Sequence, residues 1–347
     1  MTNYIELQNY LTAVQCDQDI EFHTTDFWAY ATNELSKVLE QDTIKQFRND
    51  KACLTYFVPT YGYPAMGLST DQIDEISEIA NKAPLKQRNT ISQFISGQSH
   101  ATADHRAIQA CIKALGNDPF QDFDESEIGE PKEQFIFSGN RFSRPTHNYM
   151  LGLLFLISHQ KDAKFNSIIE LGGGHGALGE ILFKSKLNTK SYINFDIPPT
   201  CIFAEFYLSQ IFPDKFKSDL KKTWNSAVHI SELDGLYVRP NWDIQYLEGS
   251  VDLFVNYHSF QEMEPFVVKR YLNEINRLEP SFLLLRNIRE GKQKKIENTL
   301  GVETPTKGSD YIDWLQDNYD LIAQDATTFG FVTADNFHSE LSLWKRR

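Results

Sequence analysis

Along the first third of the chain, apolar residues recur at helical intervals. Ile73, Ile76, Ile79 and Ala80 follow Ser69-Thr70-Asp71-Gln72, whose capping-box spacing lets Ser69 cap the helix and Gln72 reach back. A second helix is predicted from near Thr102 to Gly116, with Ile108, Cys111, Ile112 and Leu115 on one side. The aromatic-rich stretch Tyr56-Phe57-Val58-Pro59-Thr60-Tyr61-Gly62-Tyr63-Pro64 reads as packing between helices, with a substrate mouth as the alternative. Residues 118–130 are acidic, contain Pro119 and Gly129 and lack periodicity. The junction between a helical N-terminal cap domain, 1–130, and a second domain, 131–347, is therefore placed there.

Beyond the junction the pattern changes. Ser143 and Pro145 are placed to cap and start a helix through residues 150–157. Short apolar runs at 167–171, 191–195, 236–238, 251–256, 282–285, 321–324 and 341–344 then alternate with helical ones, including 265–278. Seven strands with a late pair near the C-terminus predict an α/β, doubly wound, mostly parallel sheet. No internal repeat interrupts this order.

Composition narrows the possibilities. The 347 residues allow a core of ordinary size plus a smaller unit. A net charge of −13, from 34 basic and 47 acidic residues, would repel a phosphate backbone, so no nucleic-acid partner is expected. The dense basic run at Lys292–Lys295 reads as a solvated helix face. Cys16, Cys53, Cys111 and Cys201 lack both zinc-site spacing and disulfide density. The N-terminus lacks a signal-peptide pattern, and the longest apolar stretch, Met150 to Ile157, is far short of the roughly 20 residues that cross a bilayer. A cytoplasmic protein without a membrane partner is expected, and a homodimer is left open.

The chemistry concentrates where the strand Ser167-Ile168-Ile169-Glu170-Leu171 runs into Gly172-Gly173-Gly174-His175-Gly176 and a helical run from Ala177. Glycines there let a ligand lie against the main chain at the carboxyl end of a strand. Gly172, Gly174 and Ala177 also satisfy the looser G-x-G-x-x-A dinucleotide form, so an NAD(P)-dependent oxidoreductase remains a rival reading. Glu170, two residues before Gly172, suits the positive aminopropyl end of S-adenosylmethionine and would repel a pyrophosphate. The mid-chain position of the loop points the same way. Asp196 ends the next strand, 20 residues after Gly176, where a carboxylate can accept both ribose hydroxyls in either kind of site.

The E-x-G-x-G-x-G run through Gly176, followed by Asp196, resembles the class I S-adenosylmethionine-dependent methyltransferases. Asp196-Ile197-Pro198, with Val251–Asn256 leading into Ser259-Phe260-Gln261-Glu262-Met263, is similar to a bacterial group of sugar O-methyltransferases; the likeness covers roughly residues 135–347. It implies a Rossmann-like seven-stranded methyltransferase sheet, S-adenosyl-L-methionine as cofactor and a hydroxyl of a sugar or sugar-containing metabolite as acceptor. A natural-product acceptor that is not a sugar is the alternative within the class.

The cofactor-binding set is then Glu170, Gly172, Gly174, Gly176, Asp196 and Asn256, with a turn-satisfying amide as the alternative for Asn256. An alcohol acceptor needs a base, and the segment after Asn256 offers two, His258 and Glu262. The likeness carries Glu262 but not His258. Asn140, Arg141 and Tyr149 are candidate lid contacts, and His338 a candidate at the crevice edge. His100 and His105 lack the H-E-x-x-H pattern, so no metal is expected.

Overall fold

The seven apolar runs pair side by side in the computed structural model, which describes residues 3–57, 70–161, 163–222, 224–295, 301–333 and 336–347. They are β1 (Ser167–Leu171), β2 (Ser191–Asp196), β3 (Gly235–Pro240), β4 (Leu253–Tyr257), β5 (Phe282–Ile288), β6 (Tyr319–Asp325) and β7 (His338–Arg346). Their order across the sheet is β6-β7-β5-β4-β1-β2-β3. The strands from β5 to β3 pair in parallel, whereas β7 lies antiparallel between β5 and β6. Phe331–Val332 adds a short pairing on β7. This is the α/β, Rossmann-like, mostly parallel sheet of seven strands expected above, with the late pair near the C-terminus. Central strands such as β2 are buried along their whole length, which is why they read as continuous apolar runs and not as alternation.

Helices follow the predicted starts where capping chemistry is explicit. Ser143 accepts from the Thr146 amide at 3.3 Å and Pro145 occupies the first turn of the helix Arg144–His159. The helix Pro265–Leu278 has the predicted bounds. The helix expected from Thr102 begins earlier, as Gln98–Leu115, and ends on Gly116 at φ +71°. A hairpin, Gln134–Phe137 with Asn140–Ser143, was not predicted, because two four-residue strands carry too little alternation to register.

The N-terminal helices include Tyr4–Cys16, Asp26–Glu40, Lys51–Phe57, Thr70–Lys82 and Leu85–Ile95. Ser69 and residues 58–64 of the aromatic stretch lie outside the described residues. The helical pattern of Thr70–Lys82 forms, yet Ile79 stays 57% exposed; periodicity specifies a face, not its partner. Elsewhere the apolar core runs continuously from Leu7, Leu35 and Phe47 into the sheet.

A buried charge network ties the two regions together. Arg48 donates from Nε to Glu133 at 2.7 Å, from Nη2 to Glu125 and from Nη1 to the Tyr207 hydroxyl at 3.2 Å. Tyr207, on the helix Thr200–Ile211, in turn donates to Glu180 at 2.5 Å. Two carboxylates around one guanidinium offset a desolvation cost that any one of the groups alone would leave uncompensated.

Candidate functional site

A cavity of about 470 Å³ opens at the carboxyl ends of β1, β2 and β4, where open α/β sheets bind their ligands. Its size falls within the usual range for small-molecule sites. The glycine turn and Asp196 form one side, and the segment after β4 another. Phe27, Trp28, Tyr56 and Phe57, from the N-terminal helices, complete it. Tyr56 and Phe57 therefore face a cavity as well as other side chains, which corrects the preference for packing alone.

The turn is held from β2. Gly173 donates its amide to Asn194 Oδ1 at 3.1 Å, and Gly174 donates to Asp196 Oδ2 at 2.9 Å. Asn194 Nδ2 returns a bond to the Gly174 carbonyl at 3.3 Å. Gly172, at φ +72°, packs so closely on Ser259 that a Cβ would collide with its side chain. Gly174, at φ +58°, has only Phe57 nearby, 3.8 Å from a Cβ position. The His175 ring packs with Phe47, Phe57 and Tyr207, with centroids 5.0–5.9 Å apart.

The structure distributes the sequence candidates unequally. Gly172, Gly174 and Asp196 line the cavity, and so do His258 and Glu262. Gly176, at φ +97°, starts the helix Ala177–Lys184 beneath the turn, and a Cβ there would crowd Leu208. Glu170 is fully buried behind the turn. It accepts from Tyr149 at 2.7 Å and from Tyr192 and lies against Gly173, so its carboxyl stands behind cavity-lining residues without lining the cavity itself. Direct contact between Glu170 and an aminopropyl amine does not fit this placement. Asn256 is also turned inward: Nδ2 donates to the Leu171 carbonyl at 3.0 Å and to Ser259 Oγ at 2.5 Å, while Oδ1 accepts from Asn287 at 3.1 Å. It is the turn-satisfying amide of the alternative reading.

Electrostatics separate the titratable groups. Burial pushes the Asp196 carboxyl up to about 8 despite two backbone hydrogen bonds. Burial likewise raises Glu170 to about 7 against its two tyrosine bonds. His258, at φ +68°, is driven down to about 3 by burial and by the charges of Arg286 and Lys292. Glu262 accepts from Trp28 Nε1 at 3.0 Å and from Lys292 Nζ at 2.8 Å.

Several residues escaped sequence reasoning. Lys292 is not on a solvated helix face; it lines the cavity on the loop after β5. Trp28, more than 230 positions from Glu262, gave no local signal. Of the three candidate lid contacts Tyr149 lines the cavity, but Asn140 and Arg141 do not, and Arg141 instead pairs with Asp124 and Glu127. His338 pairs with Glu290 at 2.8 Å away from the cavity. His105 stacks on Phe137 at 4.2 Å, and no group of three metal-binding side chains occurs among the described residues. Among them, no helix is long and apolar enough to cross a membrane.

No protein-family model matches the chain, and no curated protein matches it. Solved structures do. Magnesium protoporphyrin IX methyltransferase from Synechocystis PCC 6803 with bound SAH is 12% identical, covers 59% of this chain and 84% of its own, and has a TM-score of 0.40. A putative tRNA (m1A22) methyltransferase from Streptococcus pneumoniae, in complex with S-adenosyl-L-methionine, is 13% identical over 55% of this chain and 71% of its own, with a TM-score of 0.35. The small RNA methyltransferase HEN1 is 13% identical over 62% of this chain and 27% of its own, with a TM-score of 0.41.

Proposed function

We propose that the chain is an S-adenosylmethionine-dependent O-methyltransferase acting on a hydroxyl of a sugar or sugar-containing metabolite, with residues 1–130 capping the domain 131–347. The observation that carries the reading is that the glycine turn and Asp196 share one cavity at the strand ends of a sheet with an antiparallel β7 inserted between β5 and β6. A dinucleotide sheet in its usual 3-2-1-4-5-6 order has no such strand. The sugar acceptor rests on the resemblance of the segments 196–198 and 251–263.

The residues present fit the cofactor. Gly174 has open space where a side chain would stand, and Asp196, on the same cavity, offers a carboxyl to ribose hydroxyls. Bound there, S-adenosylmethionine would supply a sulfonium-activated methyl group for transfer to the acceptor oxygen. The chain aligns the acceptor, a contribution worth roughly 7–11 kcal/mol in favourable cases, and removes its proton.

Glu262 is the proposed base. A histidine held near 3 is a weak proton acceptor at neutral pH, which sets His258 behind it. Trp28 and Lys292 fix the Glu262 carboxylate, and one contact on each oxygen leaves lone pairs for an acceptor hydroxyl. Transfer of labelled methyl to a panel of sugars and glycosides tests this. Glu262→Gln should lower kcat about 10²–10⁴-fold, while His258→Gln should cost less. Turnover that survives both changes nearly intact would remove these residues from the mechanism.

A further inference from the structure

A buried arginine with no counter-charge among the described residues lies behind one wall of the cavity. Arg286, on β5, is fully buried. Its Nη2 donates to the Phe329 carbonyl and it also acts on the nearby Tyr257 hydroxyl, but Nε and Nη1 have no acceptor at full hydrogen-bond geometry, and no carboxylate among the described residues pairs with it. The rings of Tyr257 and Phe331 lie 5.2 and 5.8 Å from Cζ. Both rings, and His258 beside them, line the cavity. A buried charge carries a large desolvation cost unless an opposite charge or a full set of hydrogen bonds offsets it. Two aromatic faces offset only part of that cost.

A second cation stands at the same wall. Lys292 lines the cavity with its side chain 26% exposed, one contact to Glu262 and its ammonium 4.6 Å over the Phe27 ring. His258 lies in the field of both cations, and both act to keep its ring neutral. Across the cavity, Asp196 holds its proton up to about pH 8, which leaves Glu262 to balance two positive charges.

We propose that the acceptor carries an anionic group, a carboxylate or a phosphate, set against the His258–Phe331 wall, with Arg286 behind the wall and Lys292 at its rim supplying the attraction. This rests on reading the cavity as a methyl-acceptor site. The acceptor is then an acidic or phosphorylated sugar, not a neutral one.

Calorimetry on the full chain tests the proposal without turnover. Galacturonate and glucose 6-phosphate are each titrated against galactose and glucose, with and without S-adenosylhomocysteine. At least one anionic sugar should bind about tenfold or more tightly than its neutral counterpart, the effect of one charge-assisted contact; which one does so separates carboxylate from phosphate. Lys292→Gln and Arg286→Met should each remove most of that preference. Arg286→Met should also melt at a higher temperature than the parent in the absence of anion, whereas an arginine with a merely structural role would melt lower when replaced. If Arg286→Met fails to fold, Lys292→Gln still decides. Equal binding of charged and neutral sugars, or a preference untouched by the variants, overturns the proposal. Failure of S-adenosylhomocysteine to bind would instead strike the methyl-transfer reading and leave the anion result standing.

Discussion

At Gly172 two demands coincide, a positive φ and a Ser259 side chain where a Cβ would go. Gly172→Ala is therefore expected to destabilise the fold by about 1–3 kcal/mol and to weaken cofactor binding, as denaturant titration and calorimetry would reveal. An alanine variant of parental stability would mean that the turn is not held this tightly. The glycines and Asp196 were legible in the sequence because a strand running into glycines, with an acid ending the next strand, has few other physical explanations. Glu170 and Asn256 were legible as positions but not as orientations. Each lies at a strand end, and the choice between cavity and interior is made by Tyr149, Tyr192, Ser259 and Asn287.

At the scale of elements, the central strands announced themselves through burial on both faces, since no polar alternation blurred them, whereas the edge strand Tyr319–Asp325 is largely exposed and was legible only by its apolar run. The hairpin before Arg144 and the route by which Trp28 reaches Glu262 did not, because short strands and long-range docking leave no local period. The Arg48 network is what docks the early helices. Arg48→Met would leave Glu125 and Glu133 buried without their counter-ion, a loss of about 3–5 kcal/mol that equilibrium unfolding should register. A variant as stable as the parent would show that the network is not the joint. Trp28→Phe removes one hydrogen bond, worth about 1 kcal/mol. It should raise KM for the acceptor and leave cofactor affinity unchanged, provided the cap forms the acceptor side of the cavity.

For the whole molecule, the buried titratable groups set a pH optimum of stability. Asp196 at about 8, with Glu170 and Glu205 at about 7, hold protons that the unfolded chain releases near pH 4. Folded carboxyls above their unfolded values bind the extra proton in the native state, so stability falls as pH rises through 7 and 8. His147 and His258, both near 3, act in the opposite sense, and their contribution is lost as pH drops below about 6.5, where the unfolded chain protonates. The two effects oppose each other between pH 4 and 6.5, and only the carboxyls act above it. The melting temperature should therefore decline from pH 6.5 to 8.5, by the equivalent of on the order of 2 kcal/mol, and Asp196→Asn should flatten that slope. A melting temperature that rises over this window would contradict the buried-carboxyl account.

The cavity joins residues from both ends of the chain, so the central claim concerns what it holds. Titration calorimetry of the purified chain with S-adenosylmethionine, and separately with NAD, tests that claim most directly. The account predicts saturable one-site binding of S-adenosylmethionine that is weakened at least about tenfold by Asp196→Ala, the loss of the hydrogen bonds to the ribose and of the carboxyl that holds the Gly174 amide, and no comparable binding of NAD. Binding of NAD alone, or S-adenosylmethionine binding indifferent to Asp196→Ala and Gly174→Asp, would contradict it.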